Sequence, residues 1–171
     1  KLLITKNAFT LVEMLITVAV IGILITSSTV TFNKVWKNNQ TDTCESELRD
    51  LSNSFSSYFI DYGNIIIKPD MNYQNVLNET IDILNKQYLP YPITVTEIAE
   101  DKKSVKLTTK TKTDPWKSKY QINIYTYDGN DKESVPGLII ISSNGINGTS
   151  SKATYKDGNY GDDIIAIVEP K

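Results

Sequence analysis

From Ala8 to Phe32 the chain reads AFTLVEMLITVAVIGILITSSTVTF, an apolar run broken by one charge, Glu13. At about 1.5 Å of rise per residue, such a run is long enough to cross a bilayer as a helix. Beyond Trp36 the pattern becomes one-sided. Apolar residues recur at Cys44, Leu48, Leu51, Phe55, Tyr58, Phe59 and Tyr62 with spacings of three and four, the stripe of an amphipathic helix packed on a core. Asn38-Asn39-Gln40-Thr41 is a polar interruption that bends such a helix without ending it, and Gly63 is a natural stop. One helix from Phe9 to Tyr62 would be roughly 80 Å long. Its first half needs lipid or neighbouring helices around it, and its second half needs a domain to lean on.

The rest of the pattern predicts a small α+β head. Tyr73, Val76, Leu77, Ile81 and Leu84 place a second helix over Tyr73 to Gln87, ended by Leu89-Pro90-Tyr91-Pro92. Strand-like runs follow at Ile93 to Ile98, Val105 to Thr109, Tyr120 to Tyr127, Leu138 to Ser143 and Ile164 to Val168. Turns at Asp101-Lys102 and Asp128-Gly129-Asn130 favour antiparallel neighbours. The expected fold is a long N-terminal helix laid across a small antiparallel sheet. The expected division is a leader at residues 1–8, a hydrophobic transmembrane or filament-core helix at 9–33, and a head at 34–171 that includes the second half of the helix.

Composition narrows the chemistry. The 171 residues leave room for one domain and an anchor. The formal charge of −2 argues against nucleic-acid binding. The densest lysines, Lys102-Lys103 and Lys106 to Lys112, read as a solvated strand face. The chain has no histidine, which removes Ser-His-Asp and Cys-His catalysis and His-ligated zinc. Cys44 is the sole cysteine, so no intrachain disulfide forms, and its place on the stripe predicts a buried thiol. A non-enzymatic protein is expected.

Glu13 discriminates among the readings of the apolar run. A cleaved secretory signal would have a shorter apolar core and end at an Ala-x-Ala-like site, whereas this run ends in Ser27-Ser28-Thr29-Val30-Thr31-Phe32. A permanent anchor is the other rival; Lys1 and Lys6 on one side are matched by Lys34 and Lys37 on the other, so flanking charge does not set its orientation. A carboxylate in a membrane helix costs roughly 2.5–3.5 kcal/mol near the centre and marks function. Glu13 stands one turn after Phe9. A cut between Ala8 and Phe9 would expose an amine that is largely protonated near neutral pH, its ordinary pKa being about 7.7–8.0. The two opposite charges would then neutralise one another, which is a reason for a second chain to come alongside.

The segment AFTLVEMLITVAVIGIL resembles the class III signal of type IV pilins and pseudopilins. That resemblance implies cleavage after Ala8 by the prepilin peptidase, methylation of the new Phe9 amine, and pairing of Glu13 with the Phe9 amine of a neighbouring subunit. It also implies a precursor with one membrane span, an assembly platform in that membrane, and a homo-oligomeric or mixed helical filament outside the cell. The chain departs from the family pattern at Ala8, where glycine is usual, and at Val30, where many type IVa pilins have a helix-loosening proline. Gly22 remains a weak point, at about 1 kcal/mol relative to alanine.

A second resemblance lies in the head. Ser142 to Asp163 reads SSNGINGTSSKATYKDGNYGDD, and a loop this long is usually functional or disordered. Asn147, Asp157, Asp162 and Asp163 supply oxygens of the kind a hard cation takes six to eight of. Together with Asp114-Pro115-Trp116, Tyr120, Ser143 to Gly148 and Gly161 to Ile164, the loop is similar to the C-terminal half of major pseudopilins. That similarity implies a calcium ion, with Asn147 standing where the family has an aspartate; a solvated loop is the alternative. For the whole chain, the expected function is a structural subunit of a type IV pilus or pseudopilus. The alternative is a membrane-tethered extracellular binding domain that never assembles.

Overall fold

The computed structural model describes residues 10–67, 72–100, 104–126, 137–149 and 161–169. Its contacts divide the chain into two compact units, Lys1–Asn39 and Gln40–Lys171. Helix α1, Leu11–Tyr62, runs through the boundary as 52 continuous helical residues.

In the first unit the apolar side chains of α1 are exposed on every side; Leu11, Ile16, Ile23 and Val30 are each more than half exposed. This part of α1 is long and apolar enough to cross a membrane. Its hydroxyls do not break it, because they bond back to the preceding turn. Thr17 Oγ1 donates to the Glu13 carbonyl at 3.0 Å, Thr26 Oγ1 to Gly22 at 3.0 Å and Ser27 Oγ to Ile23 at 2.9 Å. Polar hydroxyls satisfied in this way are compatible with lipid. The helix passes through Gly22 and Val30 unbroken.

The second unit contains residues 40–62 of α1, a short helix α2 (Tyr73–Ile83), a π-helical turn (Leu84–Tyr88) and five strands: β1 (Ile93–Ile98), β2 (Ser104–Thr113), β3 (Lys119–Tyr125), β4 (Ile139–Ser143) and β5 (Ile164–Val168). The strands form one sheet in the order β1-β2-β3-β4-β5, every neighbouring pair antiparallel. The α+β fold matches the expectation, an α-helix on a small antiparallel sheet. The two turns expected at Asp101-Lys102 and Asp128 to Asn130 lie outside the described residues.

Alternation along the strands chooses the core face. Val105, Leu107 and Thr109 of β2, Tyr120, Ile122 and Ile124 of β3, and Ile139 and Ile141 of β4 are buried. All of these but Thr109 form one cluster with Cys44, Leu48, Leu51, Phe55, Tyr58 and Phe59 of α1. Each large side chain buried this way contributes about 1.5–3 kcal/mol. Tyr62, expected on the same stripe, is 54% exposed; it stacks on Tyr58 at 5.0 Å and meets Tyr88 edge-on at 6.2 Å.

The expected second helix changes pitch before it ends. Leu84–Tyr88 is π-helical, and the Asn85 side chain bridges to Ile93, donating to its carbonyl at 3.1 Å and accepting its N–H at 2.7 Å. That pair fixes the end of the helix against the first residue of β1. At the end of α1, Gly63 adopts φ +79° with open space where a Cβ would sit. Gly63→Ala therefore meets only the left-handed backbone cost, and is expected to destabilise the head by about 1 kcal/mol in denaturant titration.

The lysine-rich strand is not solvated along its whole length. Lys112 Nζ lies 2.5 Å from Glu47 Oε1, and the Tyr120 hydroxyl donates to the other carboxylate oxygen, Oε2, at 2.5 Å. The buried Cys44 Sγ lies 3.7 Å from the same hydroxyl. Lys112 also sits 5.2 Å from the centre of the Tyr91 ring. A helix carboxylate thus draws one lysine off the strand face, whereas Lys110 is exposed.

This cluster, together with the Tyr88 hydroxyl that donates to Asp61, gives the head an alkaline limit. Burial first, and then the bond to Glu47, push the Tyr120 hydroxyl well above the ordinary tyrosine value. The bond to Asp61 pushes Tyr88 up to about 12, and the bond to Glu47 raises Lys112. A group whose pKa is raised by folding contributes stability below its unfolded value and loses that contribution as pH climbs through the folded one. With unfolded tyrosine and lysine near about 10 and 10.4, melting temperature is expected to fall from pH about 10 upward. Thermal scans from pH 8 to 11 should show that fall, and Tyr120→Phe should blunt it without abolishing it.

Candidate functional site

Two places carry the residues singled out by sequence, one in each unit. In the first unit, Ala8 and Phe9 lie outside the described residues, and Glu13 occupies the first turn of α1. Thr10 immediately precedes that helix. Its N–H and hydroxyl both donate to Glu13 Oε2, at 3.1 and 2.9 Å, and the Glu13 N–H donates back to Thr10 Oγ1 at 3.3 Å. This is a reciprocal capping box, in which two orphan N–H groups of the helix start are satisfied by side chains. The negative charge also lies at the positive end of the helix dipole.

Sequence reasoning identified Glu13 but missed Thr10. The signal was present, because Thr-x-x-Glu directly before an apolar run is the capping signature. The consequence is chemical. In the single chain the Glu13 carboxylate already has two donors, so its charge is not left bare at the edge of the apolar segment.

In the second unit, the head loop is organised by Asp114, which is buried. Its Oδ1 accepts the backbone N–H groups of Trp116 at 3.0 Å and Ser118 at 2.8 Å, and its Oδ2 accepts the Ser143 hydroxyl at 2.6 Å. Ser143 Oγ in turn accepts the Gly145 N–H at 3.2 Å. Gly145 has φ +61°, and a Cβ there would lie 2.1 Å from the Asp162 carbonyl oxygen. Only glycine lets residue 162 approach so closely. Gly145→Ala should therefore cost clearly more than Gly63→Ala, since the strained backbone is joined by a backbone clash; paired denaturant titrations check the order.

Asn147 and Asp162 are brought together. The Asn147 N–H donates to Asp162 Oδ2 at 2.9 Å, and the Asn147 amide NH₂ donates to Asp162 Oδ1. The Asn147 amide oxygen accepts from the Thr149 N–H and hydroxyl, both at 2.6 Å. A backbone N–H offers only a proton, so the amide oxygen must face Thr149 and the NH₂ must face Asp162. Asp163 follows at the start of β5 with one carboxylate oxygen buried. Asp157 lies outside the described residues. A hard cation needs oxygens converging on it, whereas both oxygens of Asp162 receive protons from Asn147.

The family model of the prokaryotic N-terminal methylation motif covers residues 5–29. No curated protein and no solved structure matches the chain. The matched segment holds the expected cut, Thr10, Glu13 and most of the apolar run, and it marks a type IV pilin-like substrate of the prepilin peptidase. The motif's family is structural rather than catalytic, and its signal implies assembly with other pilins. With the methylation motif over residues 5–29, a long apolar helix and an α+β head, this chain is similar to type IV pilins and pseudopilins.

Proposed function

We propose that the chain is a structural subunit of a type IV pilus or related pseudopilus, drawn from the membrane into a helical filament through Glu13. The observation that carries this reading is the apolar first part of α1, exposed on every side, with Glu13 as its one carboxylate in the first turn. Such a surface is stable in lipid or among identical helices, and both environments make an unpartnered carboxylate costly.

Before assembly, Thr10 supplies Glu13 with two donors. Cutting before Phe9 adds a protonated amine, a stronger partner for a carboxylate than a neutral hydroxyl. In the filament the Phe9 amine of a neighbouring copy takes up Glu13, and each chain's amine and carboxylate serve different neighbours. Methylation adds bulk to the amine while leaving it basic. The leader takes Lys1 and Lys6 with it, so the filament is built from a more acidic chain than the precursor.

Processing is the first test. Co-expression with a prepilin peptidase should shorten the chain by the segment before Phe9. Ala8→Gly should speed the reaction, and a bulky residue such as Ala8→Leu should block it. A chain left intact by an active peptidase would oppose the reading and favour a tethered domain that does not assemble.

A further inference from the structure

We propose that the Asn147 amide closes the head loop in place of a metal ion, so that the fold of this head is independent of calcium. Asp162 lies 15 positions beyond Asn147, at the far end of the loop and just ahead of β5. Its carboxylate ties that end to the 144–148 turn, beside the Ser143–Ile164 pairing of β4 with β5. Two donors on one residue hold it: the Asn147 N–H and the Asn147 side-chain NH₂.

The orientation of the amide is fixed from the opposite side. The Thr149 N–H and hydroxyl both occupy the Asn147 oxygen, which leaves that oxygen unable to turn toward Asp162. A carboxylate at position 147 would have no proton to give at neutral pH, and two facing carboxylates repel unless a cation lies between them. An amide removes both the repulsion and the need for the cation. The close approach of residue 162 is prepared separately, by the missing side chain at Gly145. The arrangement belongs to the head alone and stands or falls apart from the assembly reading.

The test uses the purified full-length chain in detergent micelles, melted in millimolar calcium chloride and in chelator. The wild type is expected to melt at the same temperature in both. Asn147→Ala, which removes the side-chain donor, should melt lower by roughly 3–6 °C with no recovery in calcium. Asn147→Asp should melt lower still in chelator at neutral pH and approach the wild type near pH 4, where the introduced carboxyl regains a proton. A wild-type melting temperature that rises saturably with calcium would overturn the proposal. So would Asn147→Ala and Asn147→Asp chains that both melt with the wild type.

Discussion

Replacing Glu13 by alanine is expected to cut incorporation of the chain into surface filaments by a factor on the order of 100, without reducing the precursor held in the membrane. The size follows from the charge left behind. An unpaired ion among apolar helices costs roughly 2.5–3.5 kcal/mol, and each 1.4 kcal/mol is about tenfold in an equilibrium. Glu13→Gln separates the two roles of the residue, because glutamine still serves a capping box but carries no charge. It should fail nearly as badly as alanine. Thr10→Ala removes the cap at a cost of about 1 kcal/mol and leaves the charge, so it should assemble at a reduced but readily detected level. Immunoblots of sheared surface material against the membrane fraction read all three. Glutamine chains assembling at the wild-type level would sink the charge-pair account.

Phe55→Ala is expected to have the largest effect on the head. Phe55 is fully buried where α1 meets the sheet, in contact with the cluster that includes Leu51, Tyr120 and Ile122. Truncating a buried phenylalanine costs about 3–5 kcal/mol, against a total stability of about 5–15 kcal/mol for a typical domain. The head should then lose about a fifth of its stability or more, visible as a large fall in denaturant midpoint with little change in slope. Tyr62→Ala is the contrast. Tyr62 lies on the same helical stripe but is more than half exposed, and its loss should cost less than about 1 kcal/mol. Equal effects at the two positions would mean that the core is not where these residues place it.

Much of this fold was legible because its signals are local. The stripe from Cys44 to Phe59 and the alternation in β2 and β3 follow from which residues repeat at which period, and the structure buries the same residues. Three features were not legible in that way. The π-helical turn at Leu84–Tyr88 continues a helical pattern in sequence, and what distinguishes it is the Asn85 bridge to Ile93 across a proline-rich turn. Lys112 looks like any lysine on a polar strand face, and only the helix crossing above it brings Glu47 within reach. Tyr62 follows the spacing of the stripe but lies at its end, where the sheet no longer covers it and aromatic neighbours do.

The candidate sites divide along the same line. The significance of Glu13 was readable because a lone carboxylate in an apolar run is conspicuous, and Thr10 was equally readable by its Thr-x-x-Glu spacing. At the head loop, sequence shows which residues carry oxygens but not which way an amide faces. Asn147 counts as an oxygen donor on paper. In the folded head its oxygen is held by Thr149 and its NH₂ group meets Asp162. Two groups of Thr149, its backbone N–H and its hydroxyl, neither unusual in sequence, decide that outcome.

The most direct test of the central claim is the mass and N-terminal sequence of this chain recovered from filaments sheared off the cell surface. The account predicts a chain that begins at Phe9 with a methylated amine, because the Phe9 amine is the group that Glu13 of a neighbouring copy takes up. Filament-borne chains that retain residues before Phe9 would have no such amine to offer, and would contradict it.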